Sequence, residues 1–461
     1  MTSKFAGTEQ LAAKQNIEEL KKELKDKGVK YALGSYVDVH GITKSKMVPI
    51  DHLDSMMKGS ELYTVYALEG MGGKGPQDDE CQTIPDRDSL VILPWKRDVV
   101  WFASDLHYHG EPYPLCSRVI LKKTMEEARK AGFEFMLGIE PEFYILREED
   151  GKVKPYAPED TLVMPGYDIR TTLHSMPFLD TMVEYMNELG WDVNSLVHEG
   201  GNGQYEFDFT FENAVTTADR LIFLRLMAGE VARQYGAFAS FMPKPFVDNF
   251  GSGAHHNMSL YKVGTNQNLF YDENDPRGNN LSSIAYSFIA GLLRHAGSLA
   301  AISAPLVNSY KRLTPRGMMP QISWAPVYAT YGRNNRTAML RVPKNRPAVE
   351  NRVPDISANF YLSSALHLAA GLEGIAEGLD PGDLVDFDLY NLSDEELKNL
   401  GVGILPRDLL EAVEAFDRDP LTEKVFGKEF KDEWVKLKKK EWAEHHFHVS
   451  EYEQKRYMKL F

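Results

Sequence analysis

The chain has 461 residues, 43% of them hydrophobic and 26% charged, which are the proportions of a soluble globular protein with one large domain or two. A net charge of −15 and a pI near 5.4 exclude a general nucleic-acid or membrane-surface role, although local basic clusters can still hold small anions. Two cysteines, Cys81 and Cys116, without CxxC spacing, exclude a disulfide scaffold and a structural zinc site.

Thr8 to Lys27 places Leu11, Ile17, Leu20 and Leu24 on one helical face, with Gly28 as a stop. The polar N-terminus has no signal-peptide pattern, so the expected location is cytoplasmic. Tyr31 to Met47 reads as two short strands about a turn at His40-Gly41. A loop rich in Gly, Asp and Pro follows from Glu69 to Asp88. The apolar runs Leu90 to Leu93 and Val99 to Phe102 then complete a small mixed sheet. The Pro-bearing segment Gly110 to Leu115 marks a domain boundary.

Ser117 can cap a helix that runs to Ala131 and stops at Gly132. Directly after it, Phe133, Phe135, Leu137, Ile139, Phe143 and Ile145 fall on one parity, and Glu134, Met136, Gly138, Glu140 and Glu142 on the other. A period of two means a strand with an apolar and a polar face, so Glu140 and Glu142 project side by side. Adjacent carboxylates repel unless a proton, water or cation lies between them, which suits a hard divalent metal. A solvated strand face would look the same from the pair alone.

A second acidic strand, Gln204 to Phe209, alternates aromatics with polar residues and directs Glu206 away from the apolar face. Glu199 lies across the Gly200-Gly201-Asn202-Gly203 turn, where a hairpin could close both acids on a cation or simply present a polar edge. Phe241-Met-Pro-Lys-Pro245 precedes Gly251-Ser-Gly-Ala-His255-His-Asn257, a loop whose glycines admit a ligand close to the backbone beside an imidazole. Phe288 to Leu306, interrupted by Arg294 and His295, reads as a packed helix rather than a membrane span. Arg312, Arg336, Arg341 and Arg352 suit carboxylate or phosphate oxygens. The tail is helical and charged, with Ser393 and Glu396 in a capping-box pattern. Helices and strands alternate through this larger part, an α+β pattern with antiparallel pairing.

Taken in order, these motifs resemble the glutamine synthetases from Tyr31 to Leu421. They are Asp38-Val-His-Gly, Gly138-Ile-Glu-Pro-Glu-Phe, His198-Glu199, Gly203-Gln-Tyr-Glu206, Phe241-Met-Pro-Lys-Pro, Gly251-Ser-Gly, Asn308-Ser-Tyr-Lys-Arg-Leu, Asn335-Arg336 and Glu350-Asn-Arg352. The resemblance implies a small N-terminal β-grasp domain, residues 1–112, and a catalytic domain of antiparallel sheet with flanking helices, residues 116–461. It implies ATP as substrate and Mg²⁺ or Mn²⁺ at two sites, one held by Glu142, Glu199 and Glu206, the other by Glu140, His255 and Glu350. Glutamate falls to Gly251, His255, Arg312 and Arg352, and ATP to Asn257, Ser259, Arg336 and Arg341. The four arginines are counted as catalytic. Subunits are expected to form rings, a dodecamer of two hexamers, with active sites between neighbours.

Departures from the family bear on the acceptor. The family's Asp-Gly-Ser-Ser stretch reads Ala67-Leu68-Glu69-Gly70, and Met318 stands where its flap carries Glu. Without those two acids ammonium binding weakens, whereas a methyl group gains about 0.8 kcal/mol from apolar neighbours. Ala67 and Met318 are therefore the expected amine pocket. The expected reaction joins the γ-carboxylate of L-glutamate to a small amine, methylamine before ammonia, through γ-glutamyl phosphate. Glu69 and Asp208 are the candidate bases. A catalytically inactive structural ring is the third reading. Other departures are Asn257 at the second His of the family's His-x-His, with His256 one place off, and Tyr390 at a position adenylylated in some members.

Overall fold

The structure is a computed structural model that describes residues 16–314 and 324–461. Met318 and the expected helix before residue 16 lie outside the described residues.

The first helix, Ile17–Asp26, buries Leu20 and Leu24 and ends where Gly28 turns to φ +83°. It covers one face of a seven-stranded sheet. Along its main path the order is Thr43–Pro49, Tyr31–Val37, Val99–Tyr108, Cys81–Pro85, Leu62–Tyr63. Tyr31–Val37 runs antiparallel to Thr43–Pro49 and parallel to Val99–Tyr108, so the sheet is mixed as expected. The expected loop from Glu69 to Asp88 contains the strand Cys81–Pro85, which is only five residues long and ends in proline. Val100 and Phe102 point into a small core with Leu20, Leu24, Leu53 and Met56. Their odd-numbered neighbours Trp101 and Ala103 point the other way, into the main core. Strand parity thus gives this sheet two apolar faces, one closed by its own helix and one by the rest of the chain.

The larger sheet has eleven strands among the described residues. Its path runs Val193–His198, Gln204–Phe209, Phe133–Glu149, Ala254–Lys262, Val349–Asn351, Ala338–Val342, Tyr328–Arg333, Gly403–Ile404. Pairing is antiparallel except between Tyr328–Arg333 and Ala338–Val342. Phe135, Leu137, Ile139, Phe143 and Ile145 are buried beneath helices that include Ser117–Lys130, Ala214–Gln234 and Phe360–Glu377. The strand of Glu140 and Glu142 is longer than its alternating pattern, reaching Glu149.

Two local readings are corrected. Ser117 is the first residue of its helix rather than the cap; Cys116 holds that position, and the Ser117 hydroxyl is buried without a partner. Phe288 to Leu306 spans parts of two helices, Ser283–Arg294 and Ala296–Ser303, which break at His295. There the imidazole is gripped by Asp419 at 2.8 Å and Glu373 at 2.9 Å, which outweighs helical continuity. Gly110 to Leu115 includes a short strand, Glu111–Pro112, on the smaller sheet. Just beyond it, buried Arg118 ties the two parts together, binding Asp86, Asp105 and Asp219 at 2.8–2.9 Å. No helix among the described residues is long and apolar enough to cross a membrane.

Candidate active site

Cross-strand register assembles the site. Glu206 lies opposite Glu142, Glu140 opposite His255, Asn257 opposite Glu350, and Glu350 opposite Arg341. Directly paired residues share a face of a sheet, as do residues two apart on one strand. One face therefore carries Glu206, Asp208, Glu142, Glu140, His255, Asn257, Ser259, Glu350 and Arg341. The opposite face carries Phe207, Phe143, Ile139 and Met258, all buried.

Two groups of donor atoms form on the polar face. Atoms of Glu142, Glu199 and Glu206 lie within 4.8 Å of one another, and so do those of Glu140, His255 and Glu350. Glu199 arrives from the hairpin Val193–His198/Gln204–Phe209. Asp160 anchors that turn, accepting from the Asn202 side chain at 2.8 Å and Gly203 N–H at 2.5 Å, with His198 Nε2 at 2.8 Å. Burial and then the Glu142 charge push the Glu199 carboxyl up to about 7. Burial, followed by Glu140, Glu142 and Glu199, pushes Glu206 well above the usual carboxylate range. Burial acts most strongly on Glu350 too, yet Arg352, His255 and Arg341 together hold it down to about 2. His255 Nδ1 is buried without a hydrogen-bond partner. Crowded oxygen donors with one free imidazole nitrogen fit a pair of divalent cations.

The glycine loop closes on the same face. Gly253 donates its N–H to Glu142 Oε2 at 2.7 Å, and its carbonyl accepts from the Glu142 backbone at 3.1 Å. A Cβ at Gly251 would meet Arg312 Cγ at 2.7 Å and the Pro243 carbonyl at 2.8 Å. One at Gly253 would meet the His255 ring at 2.7 Å. Only glycine permits that approach. Arg312 is buried and donates to the carbonyls of Val353 and Arg352, each at 2.9 Å. Arg341 and Arg352 grip opposite oxygens of Glu350 at 2.6 and 2.5 Å. Arg336 is exposed over the Trp324 ring, 5.7 Å from its centroid. Partial desolvation of the guanidinium and then Arg341 and Arg352 lower its pKa, so several cations converge there.

Not every expected residue joins this face. Ala67 is exposed in a one-turn 3₁₀ helix, Val65–Ala67, on the smaller-sheet side. Glu69 bonds Lys440 at 3.0 Å. Asp208 is on the face, its carboxyl raised to about 6 by burial and then by Glu140. His256 points to the core, accepting from Ser363 and donating to Ala254, whereas Asn257 on the polar face donates to Glu140 at 3.0 Å. The Tyr390 hydroxyl donates to the Ala325 carbonyl, a packing role.

Two residues escaped the sequence reading. Arg346 bridges Glu140 at 2.9 Å and Asn257 at 2.6 Å. Its only signal was a basic residue four positions before Glu350. Asp160, in an irregular segment far along the chain from its partners, carried no signal at all.

Residues 114–457 match the family described as "Glutamine synthetase, catalytic domain". The chain belongs to the glutamine synthetase family. A protein of Methyloversatilis universalis described as "Glutamate--methylamine ligase" is 39% identical over 438 residues, 95% of this chain and 98% of that protein. A "Glutamine synthetase" of Rhizobium meliloti is 34% identical over 429 residues, 93% of this chain and 96% of that protein. A solved structure described as "GmaS/ADP complex-Conformation 1" aligns with a TM-score of 0.88 at 34% identity, covering 95% of this chain and 99% of that one. ATP and divalent metal use come with the family, and the two donor groups suit them.

Proposed function

We propose that this protein is an ATP-dependent ligase that joins the γ-carboxylate of L-glutamate to methylamine. The observation that carries the ligase reading is the single sheet face bearing two donor groups ringed by Arg312, Arg336, Arg341 and Arg352. For methylamine, the support is Ala67 in place of an acid together with the similarity to the Methyloversatilis protein.

The γ-phosphoryl group passes from ATP to a γ-carboxylate oxygen of glutamate, leaving ADP and γ-glutamyl phosphate. The neutral amine then attacks the carbonyl carbon, the C–O bond to phosphate breaks, and a base takes the amine's proton. Arg312 holds the glutamate α-carboxylate, with Gly251 lining that pocket and His255 at its edge. Arg352 faces the γ-carboxylate. Arg336 and Arg341 neutralise phosphate charge, and Asn257 and Ser259 contact the nucleotide. Glu142, Glu199 and Glu206 would hold one divalent cation, Mg²⁺ or Mn²⁺, and Glu140, His255 and Glu350 a second, and these would supply charge neutralisation for phosphoryl transfer. Asp208 is the better-placed base, since it shares the polar face while Glu69 is held by Lys440.

On this reading residues 1–112 are the β-grasp domain and residues 116–461 the catalytic one, supported by their separate sheets. The amine pocket of Ala67 and Met318 is completed across a contact between copies in a ring of the dodecameric kind, and the assembly works in the cytoplasm. The second reading, ligation of ammonia, draws on the relatives described as glutamine synthetases at 34–35% identity. An inactive ring is disfavoured because all six donor residues are present. Mass analysis of a reaction holding glutamate, ATP, Mg²⁺ and both amines tests the reading. γ-Glutamylmethylamide as the main product supports it, and glutamine as the main product supports the second.

A further inference from the structure

Arg346 stands in the connection between the strands Ala338–Val342 and Val349–Asn351, and one of its nitrogens reaches back onto the acidic face. Nη2 donates to Glu140 Oε1 at 2.9 Å and to Asn257 Oδ1 at 2.6 Å, and it lies 3.9 Å from Glu350 Oε2. Asn257 Nδ2 donates to that same Glu140 oxygen at 3.0 Å. Glu140 and Glu350 are the two carboxylates of the donor group that His255 completes. A guanidinium therefore rests against both acids that a divalent cation there would need.

The two donor groups differ in this respect. Among the described residues no arginine forms an ion pair with Glu142, Glu199 or Glu206, whereas Arg341, Arg346 and Arg352 all pair with Glu140 or Glu350. The Arg341 and Arg352 side chains are only 15% and 10% exposed, and both belong to the framework of the site. The Arg346 side chain is 37% exposed on a segment without regular structure, so it can withdraw into water while the sheet stays as it is. Like charges a few ångströms apart repel, and a carboxylate lone pair given to an N–H is one fewer for a metal.

We infer that Arg346 is a positioning residue that competes with a divalent cation for Glu140 and so sets the affinity of the Glu140/His255/Glu350 group. The inference rests on the reading of that group as a cation site. An arginine that merely props Glu140 in place acts in the opposite direction, because its loss loosens the group and weakens the ion. The sign of the change separates the two roles. Mn²⁺ binding to the full-length protein, without nucleotide or glutamate, tests it through calorimetry and the paramagnetic resonance of free Mn²⁺. Spin-echo modulation from the imidazole nitrogen marks the ion beside His255. Arg346→Met should tighten that ion at least about fivefold and leave the ion at Glu142, Glu199 and Glu206 within about twofold of wild type. Arg346→Lys, which keeps a cation there, should tighten it less. An ion beside His255 that is unchanged or weaker in Arg346→Met, or an equal tightening in Arg346→Lys, overturns the inference and leaves the cation site standing. No ion beside His255 in wild type and variant alike removes the cation-site reading itself, and the inference with it. If Arg346→Met does not fold, Arg346→Gln decides by the same sign.

Discussion

Replacing Glu206 by Gln should leave the metal-free fold as stable as before, or more so, while removing its response to Mg²⁺. Glu206, Glu142 and Glu199 crowd within 4.8 Å. At that spacing each ionised pair repels by about 3.5 kcal/mol with an effective dielectric constant near 20. Burial and the neighbouring carboxylates favour the protonated form of Glu206, and a neutral glutamine copies that form in shape. The gain in chelator is therefore between zero and about 3 kcal/mol, at most a few degrees in unfolding temperature for a chain of this size. In excess Mg²⁺ the wild type should gain stability by linkage and the variant much less. Turnover in the variant should fall at least about 100-fold. Paired melts in EDTA and Mg²⁺, at one protein concentration, read this directly. A variant less stable than wild type in EDTA, with an unchanged gain in Mg²⁺, refutes the charge-crowding account.

Arg312→Lys should raise the glutamate KM at least about tenfold and change kcat less, because an ammonium cannot reproduce the fork. Steady-state kinetics with saturating ATP check this, and an unchanged KM removes the assignment. If the pocket is shared between copies, two inactive variants, Glu142→Ala and Ala67→Trp, should regain about a quarter of wild-type activity when unfolded and refolded together in equal amounts. No recovery, with each variant assembled normally, places the whole site in one chain. Acid should weaken the fold through His367, fully buried and pushed down to about 4 by burial. Between about pH 6.5 and 4 the unfolded chain takes up a proton that the fold refuses, so stability present above pH 6.5 is lost on acidification, by about 3 kcal/mol at most. Denaturant melts across that range should show His367→Gln with a shallower acid limb, and parallel limbs contradict it.

Strand parity was sufficient to read the central carboxylates. Glu140, Glu142 and Glu206 project from polar faces that alternate with buried aromatics, and register alone then brings His255 and Glu350 beside them. Parity also separates His256 from Asn257, sending the imidazole to the core. What escaped depends on contacts distant in sequence. The break at His295 comes from carboxylates contributed by later helices, and Asp160 and Arg346 act on partners far along the chain. Ala67 stands out by motif, and within one chain it is exposed in the 3₁₀ helix Val65–Ala67.

The most direct measurement is phosphate release from ATP and glutamate with methylamine or ammonia at equal free-amine concentration. The account predicts that kcat/KM for methylamine exceeds that for ammonia by at least about tenfold, or about 1.4 kcal/mol of differential transition-state binding. One methyl group in a small apolar pocket supplies an effect of that order. A preference for ammonia contradicts the account and leaves glutamine synthesis as the reaction.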